Sequence, residues 1–386
     1  MPKGIATQLA SEFESVAVVA SAAAKLQAIV RGVSVSPKRF HTALHHALGA
    51  MMAPINAISN FRRSFGCGCE RLSVPVVSVG NLTYGGSGKS PFCRWLARRC
   101  IEEGFKVGIV LPSYGALGKR CSTPLTEDEL LEHLHYLPHL QIAMGRRREV
   151  AARHLIEKGC NLILLDDGFQ YRLLYRDLDI VLVDALHELH SFCPMLREPP
   201  GALKRADIVC LAKASAARML IGDWHLERLM ELIKSSLRLG ELVMVDFTPV
   251  DLVRITTLET LQLGSLAGAK VVGVVGTAEP YSFFFTLQQL GVSVSRLFIY
   301  EDHHQYSPDE VLFLCEAAHK LGAAAVVTTL KDAMKLRGIA CSSFGFHERL
   351  NSWYAVRIDA CVSEGAWVIE RAVSKLKSNW LRGENS

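Results

Sequence analysis

A short strand, a glycine-rich loop and a helix follow one another between residues 74 and 103, and this segment constrains the fold more than any other. Val74–Val79 is rich in β-branched residues and predicts a buried strand. The next twelve residues read Gly80-Asn81-Leu82-Thr83-Tyr84-Gly85-Gly86-Ser87-Gly88-Lys89-Ser90-Pro91. Residues 92–103 then predict a helix that ends before Gly104. Because a strand that turns directly into a helix is the building unit of parallel α/β sheets, we predict an α/β protein.

The residue types in this loop are those that bind phosphate. Glycines at positions 85, 86 and 88 allow backbone N–H groups to surround an anion, and the following helix adds the partial positive charge of its N-terminus. Lys89 can reach the β- and γ-phosphates of a nucleotide, and the Ser90 hydroxyl can ligate Mg²⁺. The standard spacing would place another glycine at Thr83, so a plain glycine turn is the alternative. The predicted nucleotide-binding residues are Gly85, Gly86, Ser87, Gly88, Lys89 and Ser90.

A second strand, at residues 161–165, ends in two acidic residues. Asp166 and Asp167 follow this apolar run directly. A carboxylate at the C-terminal end of a strand beside a phosphate loop is where a Mg²⁺-organising residue belongs. Aspartate followed by Gly168 is also common in turns, which is the alternative. We predict that Asp166 and Asp167 contribute to a magnesium site.

Further apolar runs predict the remaining strands, and a second α/β pattern begins near residue 270. The predicted strands are residues 107–111, 180–184, 208–211, 271–275, 297–299, 323–328 and 353–356, with helices at 281–290 and 365–380. After residue 328 we expect a polar turn that carries Lys331. The 386 residues are enough for two domains. The net charge of +5 is too small to indicate nucleic-acid binding, and eleven scattered cysteines without a C-x-x-C pair predict buried free thiols in a reducing compartment.

The residues before the first predicted strand carry a helical pattern. Apolar residues recur every three or four positions between Phe40 and Phe61, and Arg62 and Arg63 follow them. This helix could pack on the protein core, or it could lie in a membrane interface with its arginines at the headgroups. Residues 1–35 are rich in alanine, serine and valine, so an organelle-targeting peptide is a further hypothesis.

Two downstream segments carry side chains that suit phosphate chemistry, but the residue types alone leave their roles open. Arg197 could clamp a phosphate or form a surface salt bridge. His303 and His304 lie beside Asp302 and could be metal ligands, a general base or part of a surface loop. The sequence contains no H-E-x-x-H helix pattern, which argues against a zinc hydrolase.

Taken in order, these motifs resemble the tetraacyldisaccharide 4′-kinase family of lipid A biosynthesis, from about residue 36 to about residue 336. The loop pattern of this family requires no glycine at the position of Thr83, so that residue agrees with the family. Residues 40–61 stand where the family has a membrane-associating helix. The matching segments are Gly80-Asn81 with Gly85-Gly86 and Gly88 to Pro91, Asp166-Asp167-Gly168-Phe169-Gln170 with Arg176-Asp177, Leu196-Arg197-Glu198-Pro199, Asp302-His303-His304-Gln305-Tyr306, and Thr328-Thr329-Leu330-Lys331-Asp332.

The resemblance implies a P-loop NTPase-like architecture of two α/β/α domains with mostly parallel sheets and an N-terminal amphipathic helix. The expected segments are an N-terminal extension (1–39), a membrane-associating helix (40–66), a nucleotide-binding kinase domain (67–250) and a smaller α/β domain (251–386). The implied reaction transfers the γ-phosphoryl group of ATP, with Mg²⁺, to the 4′-hydroxyl of a lipid-linked disaccharide 1-phosphate.

The resemblance also implies roles for individual residues. Lys89, Asp128 and His303 would be catalytic, with Asp128 and His303 acting together as the base. Asn81, Gln170 and Arg197 would contact the substrate. We further expect a monomer with peripheral membrane contact and no nucleic-acid partner. Its place would be the cytoplasmic face of the inner membrane in a bacterium, or the mitochondrion in a plant-type eukaryote.

Two other functions fit the same motifs. A membrane-docking ATPase switch is one, although such ATPases often carry K-G-G-x-G-K-[ST], and Tyr84 occupies the lysine position here. A nucleotide-binding homologue without catalysis is the other, because residues 111–115 and 190–194 depart from the family pattern.

Overall fold

The computed structural model describes residues 69–83, 86–113, 130, 133, 136–137, 139–187, 189, 196–277, 280–302, 304–342 and 346–384. The predicted N-terminal helix lies outside these residues. So do three predicted site residues, which are Gly85, Asp128 and His303.

Twelve described strands form a continuous sheet. They are β1 (Val76–Asn81), β2 (Val107–Pro112), β3 (Gln141–Gly145), β4 (Leu162–Asp166), β5 (Leu178–Asp184), β6 (Ile208–Ala212), β7 (Glu241–Arg254), β8 (Thr260–Leu261), β9 (Lys270–Val275), β10 (Ser293–Ile299), β11 (Ala325–Thr329) and β12 (Trp353–Glu364). The order across the sheet is β10-β9-β11-β12-β7-β6-β5-β1-β4-β2-β3, and β8 pairs with β7. The described strand pairs are parallel except for β7 with β12 and β7 with β8.

Helices cover both faces of the sheet. They are α1 (Lys89–Glu102), α2 (Arg148–Glu157), α3 (Ala214–Leu220), α4 (Asp223–Ser236), α5 (Pro280–Gln289), α6 (Pro308–Lys320), α7 (Leu330–Ser342), α8 (Phe346–Arg349) and α9 (Ala366–Glu384). Across the described part of the chain, none of the helices combines the length and apolar character needed to cross a bilayer.

In the sheet, β1 lies between β4 and β5, and this order positions the candidate site. Val77 and Val79 pack with Phe92 and Leu96 of α1 in one fully buried cluster. Burying a side chain of this size stabilises the fold by about 1.5–3 kcal/mol. Because β4 and β5 both run parallel to β1, the carboxyl ends of three neighbouring strands meet at one edge beside the glycine-rich loop. This is the edge at which open α/β sheets bind ligands.

The α/β class and the predicted strands are confirmed, and the structure adds two short strands that we did not predict, β3 and β8. The long strand β7 was not predicted, and β12 extends well beyond the predicted residue 356. Lys331 lies in the first turn of α7 rather than in a polar turn. The boundary that we placed at residue 250 falls within β7, which pairs with β6 at one end and with β12 along most of its length. The cysteines of the described residues are free thiols, as predicted; four of them are buried, but Cys69 and Cys361 are exposed.

Tyr136, which lies in the chain between β2 and β3, bonds to the backbone of β12. Its hydroxyl donates to the Ile358 carbonyl oxygen and accepts from the Ile358 N–H, both at 3.0 Å. These bonds fall where the register of β12 against β7 shifts, between Arg357 and Ile358. The Tyr136 ring also lies 4.0 Å from the guanidinium carbon of buried Arg94 on α1. The hydroxyl therefore bonds to both backbone polar groups of Ile358 at this irregularity of the ladder.

We expect Tyr136→Phe to lower the free energy of unfolding by about 1–3 kcal/mol, because it leaves the two Ile358 backbone groups without their partner. Urea denaturation measures this change. The control is Tyr175→Phe, at an exposed tyrosine, which should change the free energy by less than about 0.5 kcal/mol. Equal effects of the two substitutions would contradict the bridging role.

Asp179 is a buried carboxylate in β5, opposite Ser78 of β1. Burial raises its pKa to about 6, although the charge of Arg176, 3.1 Å away, opposes the shift. In an unfolded chain the pKa returns to about 3.9. The folded state therefore binds the Asp179 proton more tightly than the unfolded state, and stability falls as the pH rises from about 4 to about 6.

For Asp179→Asn, we expect this part of the pH dependence to disappear. Compared with the variant, the wild type should lose about 2 kcal/mol of unfolding free energy between pH 4 and pH 7. Denaturation at a series of pH values measures the difference. Asp223→Asn, at an exposed aspartate, is the control and should leave the profile of the wild type unchanged. A parallel profile for Asp179→Asn and the wild type would refute the raised pKa.

Candidate active site

The loop after β1 is closed by a side-chain hydrogen bond and a close packing contact. The amide of Asn81, which is fully buried, donates from Nδ2 to the Ser87 hydroxyl oxygen at 2.9 Å. Gly88 has a φ of +82°, and an added Cβ there would lie 2.0 Å from the Phe247 ring. A side chain at position 88 is therefore excluded both by the backbone conformation and by the space. Glycine lets the chain turn directly from the loop into α1.

The N-terminus of α1 is open to an anion. Lys89 and Ser90 are its first two residues. Its N-cap residue is Gly88, which has no side chain to cap this end, and the first turn contains no acidic residue. The first N–H groups of a helix have no partner within the helix, and they carry the positive end of its dipole. These are the features of a helix N-terminus that binds phosphate.

Asp167 is held in a buried ion-pair cluster beside this helix. It follows β4 in a left-handed conformation, with a φ of 56°. Both of its carboxylate oxygens accept from Nη1 of Arg197, at 2.7 and 2.8 Å. The Lys89 ammonium lies 3.5 Å from Oδ1. Burial alone would raise the pKa of Asp167, but Lys89 and Arg197 outweigh it and hold the pKa far below its usual range. Asp167 is thus ionised and shared between two cations.

Asp166 is held by Arg148 at its backbone carbonyl and by His133 at its carboxylate. Its carbonyl oxygen accepts from Arg148 Nη1 at 3.0 Å, and the same nitrogen donates to the Asp167 carbonyl at 2.7 Å. The Asp166 Oδ2 atom lies 3.2 Å from Nε2 of His133, and both side chains are buried. Burial would raise the pKa of Asp166, but contact with His133 and the charge of Lys89 lower it. Among the described residues, no group bonds to the other oxygen, Oδ1.

Two glycines allow this acidic turn to pack against β1. An added Cβ at Gly80 would lie 2.5 Å from the Cβ of Phe169 and 2.7 Å from its backbone nitrogen. An added Cβ at Gly168 would lie 2.5 Å from the Ser78 hydroxyl oxygen. Contacts this short are not tolerated in packed proteins, so both positions require glycine. The turn that contains Asp166 and Asp167 therefore packs directly against β1.

The segment that contains Arg197 is fastened to the other side of the loop. The backbone N–H of Arg197 donates to the Leu82 carbonyl at 2.6 Å, and Thr83 forms an antiparallel bridge with Leu196. The Gln170 amide donates from Nε2 to the Asn81 carbonyl at 2.8 Å. Asn81, Gln170 and Arg197 thus converge at the loop, each with a partner in the protein. Their contact with substrate stays a prediction.

The predicted residues on either side of position 303 lie between β10 and α6. Asp302 Oδ1 lies 3.6 Å from the Lys331 ammonium. His304 Nε2 lies 3.1 Å from Glu310 Oε2, and the His304 carbonyl accepts from Lys335 at 3.1 Å. The His304 ring stacks on Tyr300 and meets Tyr306 edge-on. Both neighbours of position 303 are therefore held by α6 and by the first turns of α7.

The donor set beside the loop suits Mg²⁺. Within the described residues, no three His, Cys, Asp or Glu side chains converge as a metal cage. Mg²⁺ is usually bound through one or two carboxylates, with substrate phosphates and water completing the shell. Asp166, with Oδ1 not engaged, and the hydroxyl of Ser90 fit that pattern. Asp167 is engaged by Arg197 and Lys89, so its metal role stays a prediction.

Sequence reasoning missed two residues of this site. Arg148 follows β3, a strand that we did not predict, and a Gly-Arg-Arg-Arg run directly after a strand was the available signal. His133 lies 33 positions before Asp166, in a stretch with several histidines. No sequence pattern distinguishes His133 from its neighbours, so only the structure identifies it.

Three comparisons place this chain among known proteins. The family described as tetraacyldisaccharide-1-P 4′-kinase matches residues 43–375. The tetraacyldisaccharide 4′-kinase of Anaeromyxobacter dehalogenans (strain 2CP-C) is 34% identical over 320 residues, which cover 79% of this chain and 82% of that protein. The tetraacyldisaccharide 4′-kinase of Methylobacillus flagellatus is 33% identical over 313 residues, covering 76% and 81%.

A solved structure is similar over most of its length. It is LpxK from Aquifex aeolicus in complex with ATP, with a TM-score of 0.60 and 23% sequence identity. The match covers 85% of this chain and 99% of that one, which shows a shared fold. With a family match that spans most of the sequence and relatives above 30% identity, the chain belongs to the tetraacyldisaccharide 4′-kinase family.

Proposed function

We propose that this protein is an ATP-dependent lipid kinase of lipid A biosynthesis. It transfers the γ-phosphoryl group of ATP to the 4′-hydroxyl of a tetraacyldisaccharide 1-phosphate. The observation that carries the proposal is the arrangement of Lys89 between the open N-terminus of α1 and the Asp167–Arg197 pair. This arrangement suits the binding and transfer of a phosphoryl group, and family membership supplies the acceptor.

The loop and Lys89 bind the triphosphate. The N–H groups at the start of α1 contact its oxygens, and the glycines allow close approach. The Lys89 ammonium, which lies 3.5 Å from Asp167, turns to the β- and γ-phosphates. Asp167 keeps Arg197 as its partner when Lys89 leaves, so no buried carboxylate is left uncompensated.

Asp166 and Ser90 would hold Mg²⁺ beside the bound phosphates. When bound, the ion neutralises charge on the transferring phosphoryl group. Asn81, Gln170 and Arg197, which lie together at the loop, would orient the acceptor. Orientation of this kind reduces the entropic cost of bringing the two substrates together.

Asp128 and His303 act as the base. The acceptor hydroxyl has a high pKa, so its proton must leave as the new P–O bond forms. An imidazole is suited to accept that proton near neutral pH, and a carboxylate orients the ring and stabilises its charged form. The contacts Asp302–Lys331 and His304–Glu310 hold the residues on either side of position 303.

The lipid acceptor requires contact with a membrane. We propose that residues 40–66 form an amphipathic helix that lies in the interface, with Arg62 and Arg63 near the headgroups. The protein would act as a peripheral membrane protein and a monomer. The cytoplasmic face of the inner membrane is its proposed place in a bacterium, and the mitochondrion in a plant-type eukaryote.

Incubation with tetraacyldisaccharide 1-phosphate and Mg·ATP should yield a lipid heavier by one phosphate, as measured by mass spectrometry. His303→Ala and Asp128→Ala should each lower kcat by ~10²-fold or more, because each removes part of the base. ATP affinity should be nearly unchanged, since neither residue belongs to the phosphate loop.

The matched controls are His319→Ala, at an exposed position of α6, and Asp223→Ala, at the start of α4. Both should retain the kcat of the wild type. Normal turnover in both base variants would refute the assignment of the base. Phosphate release without a lipid acceptor would instead favour the ATPase switch, and ATP binding without transfer would favour a homologue without catalysis.

Full-length protein should bind vesicles that contain anionic phospholipid, and Arg62→Glu/Arg63→Glu should weaken this binding by at least about tenfold. Each basic residue at an anionic surface contributes about 1 kcal/mol of attraction. Flotation of vesicles of phosphatidylcholine with or without phosphatidylglycerol measures the effect. Arg228→Glu/Lys234→Glu reverses two exposed charges on α4 and should leave binding unchanged. An equal loss in both double variants would argue against a specific membrane helix.

A further inference from the structure

We propose that His133 is a positioning residue that holds the Asp166 carboxylate in the orientation that binds a divalent cation. The inference rests on the proposed function only in that Asp166 serves as a ligand of Mg²⁺. No motif of the family resemblance includes His133. His133 is helical, and it lies in the chain between β2 and β3 rather than on a strand of the site.

The contact between the two residues is buried and direct. His133 is fully buried, Asp166 is 3% exposed, and Nε2 of the imidazole lies 3.2 Å from Oδ2 of the carboxylate. An N–H on Nε2 donates to Oδ2 at this distance. Arg148 meanwhile binds the carbonyl oxygen of Asp166. The residue is thus fixed at its main chain by one partner and at its side chain by another.

The number of carboxylate oxygens engaged distinguishes Asp166 from Asp167. On Asp167, one guanidinium nitrogen of Arg197 contacts both oxygens, and Lys89 lies close to one of them. On Asp166, the histidine occupies one oxygen, and Oδ1 bonds to none of the described residues. A single hydrogen bond to one oxygen therefore orients the carboxylate and leaves the other oxygen for a cation.

The hydrogen-bond partner of a metal-binding carboxylate affects how tightly the carboxylate binds the metal ion. Carboxylates that bind metal ions are themselves hydrogen-bonded, and loss of such a partner typically lowers affinity by 10- to 100-fold. Without His133, the Asp166 side chain could rotate about its χ angles, and ordering it would oppose binding of the ion. The alternative is that His133 only fills the core. That role predicts a loss of stability without a specific change in the response to Mg²⁺.

The experiment measures how Mg²⁺ promotes binding of a non-hydrolysable ATP analogue, with no lipid present. The full-length wild type is compared with His133→Phe, His133→Asn and His133→Gln. The amide nitrogen of glutamine reaches about as far as Nε2 of histidine, whereas the amide of asparagine is shorter. We expect the Mg²⁺ concentration for half-maximal binding to rise about 10- to 100-fold in the Phe and Asn variants. In the Gln variant it should stay within about threefold of the wild type.

His225→Phe is the matched control. His225 is also a buried histidine, and its Nε2 lies 2.9 Å from the Ala185 carbonyl oxygen. The substitution removes the same ring and a comparable hydrogen bond at another place in the core. It should leave the Mg²⁺ response unchanged. Analogue binding in the presence of EDTA should be the same in every folded variant.

A double-mutant cycle with Asp166→Asn completes the test. If His133 acts through Asp166, adding His133→Phe or His133→Asn to Asp166→Asn should cause no further rise in the Mg²⁺ requirement. Additive effects would overturn the inference, as would an unshifted response in His133→Asn or equal shifts in the Phe variants of His133 and His225. Because no lipid is used, a failure of lipid phosphorylation in the wild type would count against the proposed function and not against this role of His133.

Discussion

The arrangement of the site depends on one buried carboxylate, that of Asp167. Its charge is shared by Arg197, which contacts both oxygens, and by Lys89 at 3.5 Å. A buried carboxylate without partners would cost several kcal/mol, so these contacts are needed to hold the charge in place. They also join three separate parts of the chain, which are the end of β4, the start of α1 and the segment after residue 195. The phosphate loop is therefore fastened to the acidic turn before any ligand arrives.

Asp166 and Asp167 have identical side chains, but their positions give them different partners and different roles. Asp167 faces cations of the protein, which satisfy both of its oxygens. Asp166 faces a histidine, which satisfies one. The backbone of the pair is set by Arg148 and by Gly168, which sits directly on Ser78 of β1. An arrangement of this kind lets one carboxylate stabilise the protein while its neighbour remains able to bind an ion.

The two halves of the sheet are joined by β7 and β12 rather than by a flexible linker. β7 continues the parallel order of β6 and then pairs antiparallel with β12, which is itself parallel to β11. Tyr136 supports this junction at the point where the register of β12 shifts. The ring of Tyr136 also covers Arg94 of α1. The helix that starts at the phosphate loop is therefore packed against the strand that leads into the second half.

The sequence by itself determined the loop, the strands that flank it and the family. Those features depend on local residue types at short spacing, such as the glycines before Lys89 and the apolar run before Asp166. Only the tertiary structure shows the extent of β7 and β12 and the contact between His133 and Asp166. The apolar run of β7 covers only residues 242–245 and is followed by Asp246, Pro249 and Asp251. The later part of β12 is mostly exposed or half-exposed and contains Arg357 and Asp359, so neither strand stands out as a long apolar run. His133 and Asp166 meet across 33 residues, and a single hydrogen bond at that separation has no signature in the local pattern. It forms because folding brings His133, which lies in the chain between β2 and β3, to the end of β4.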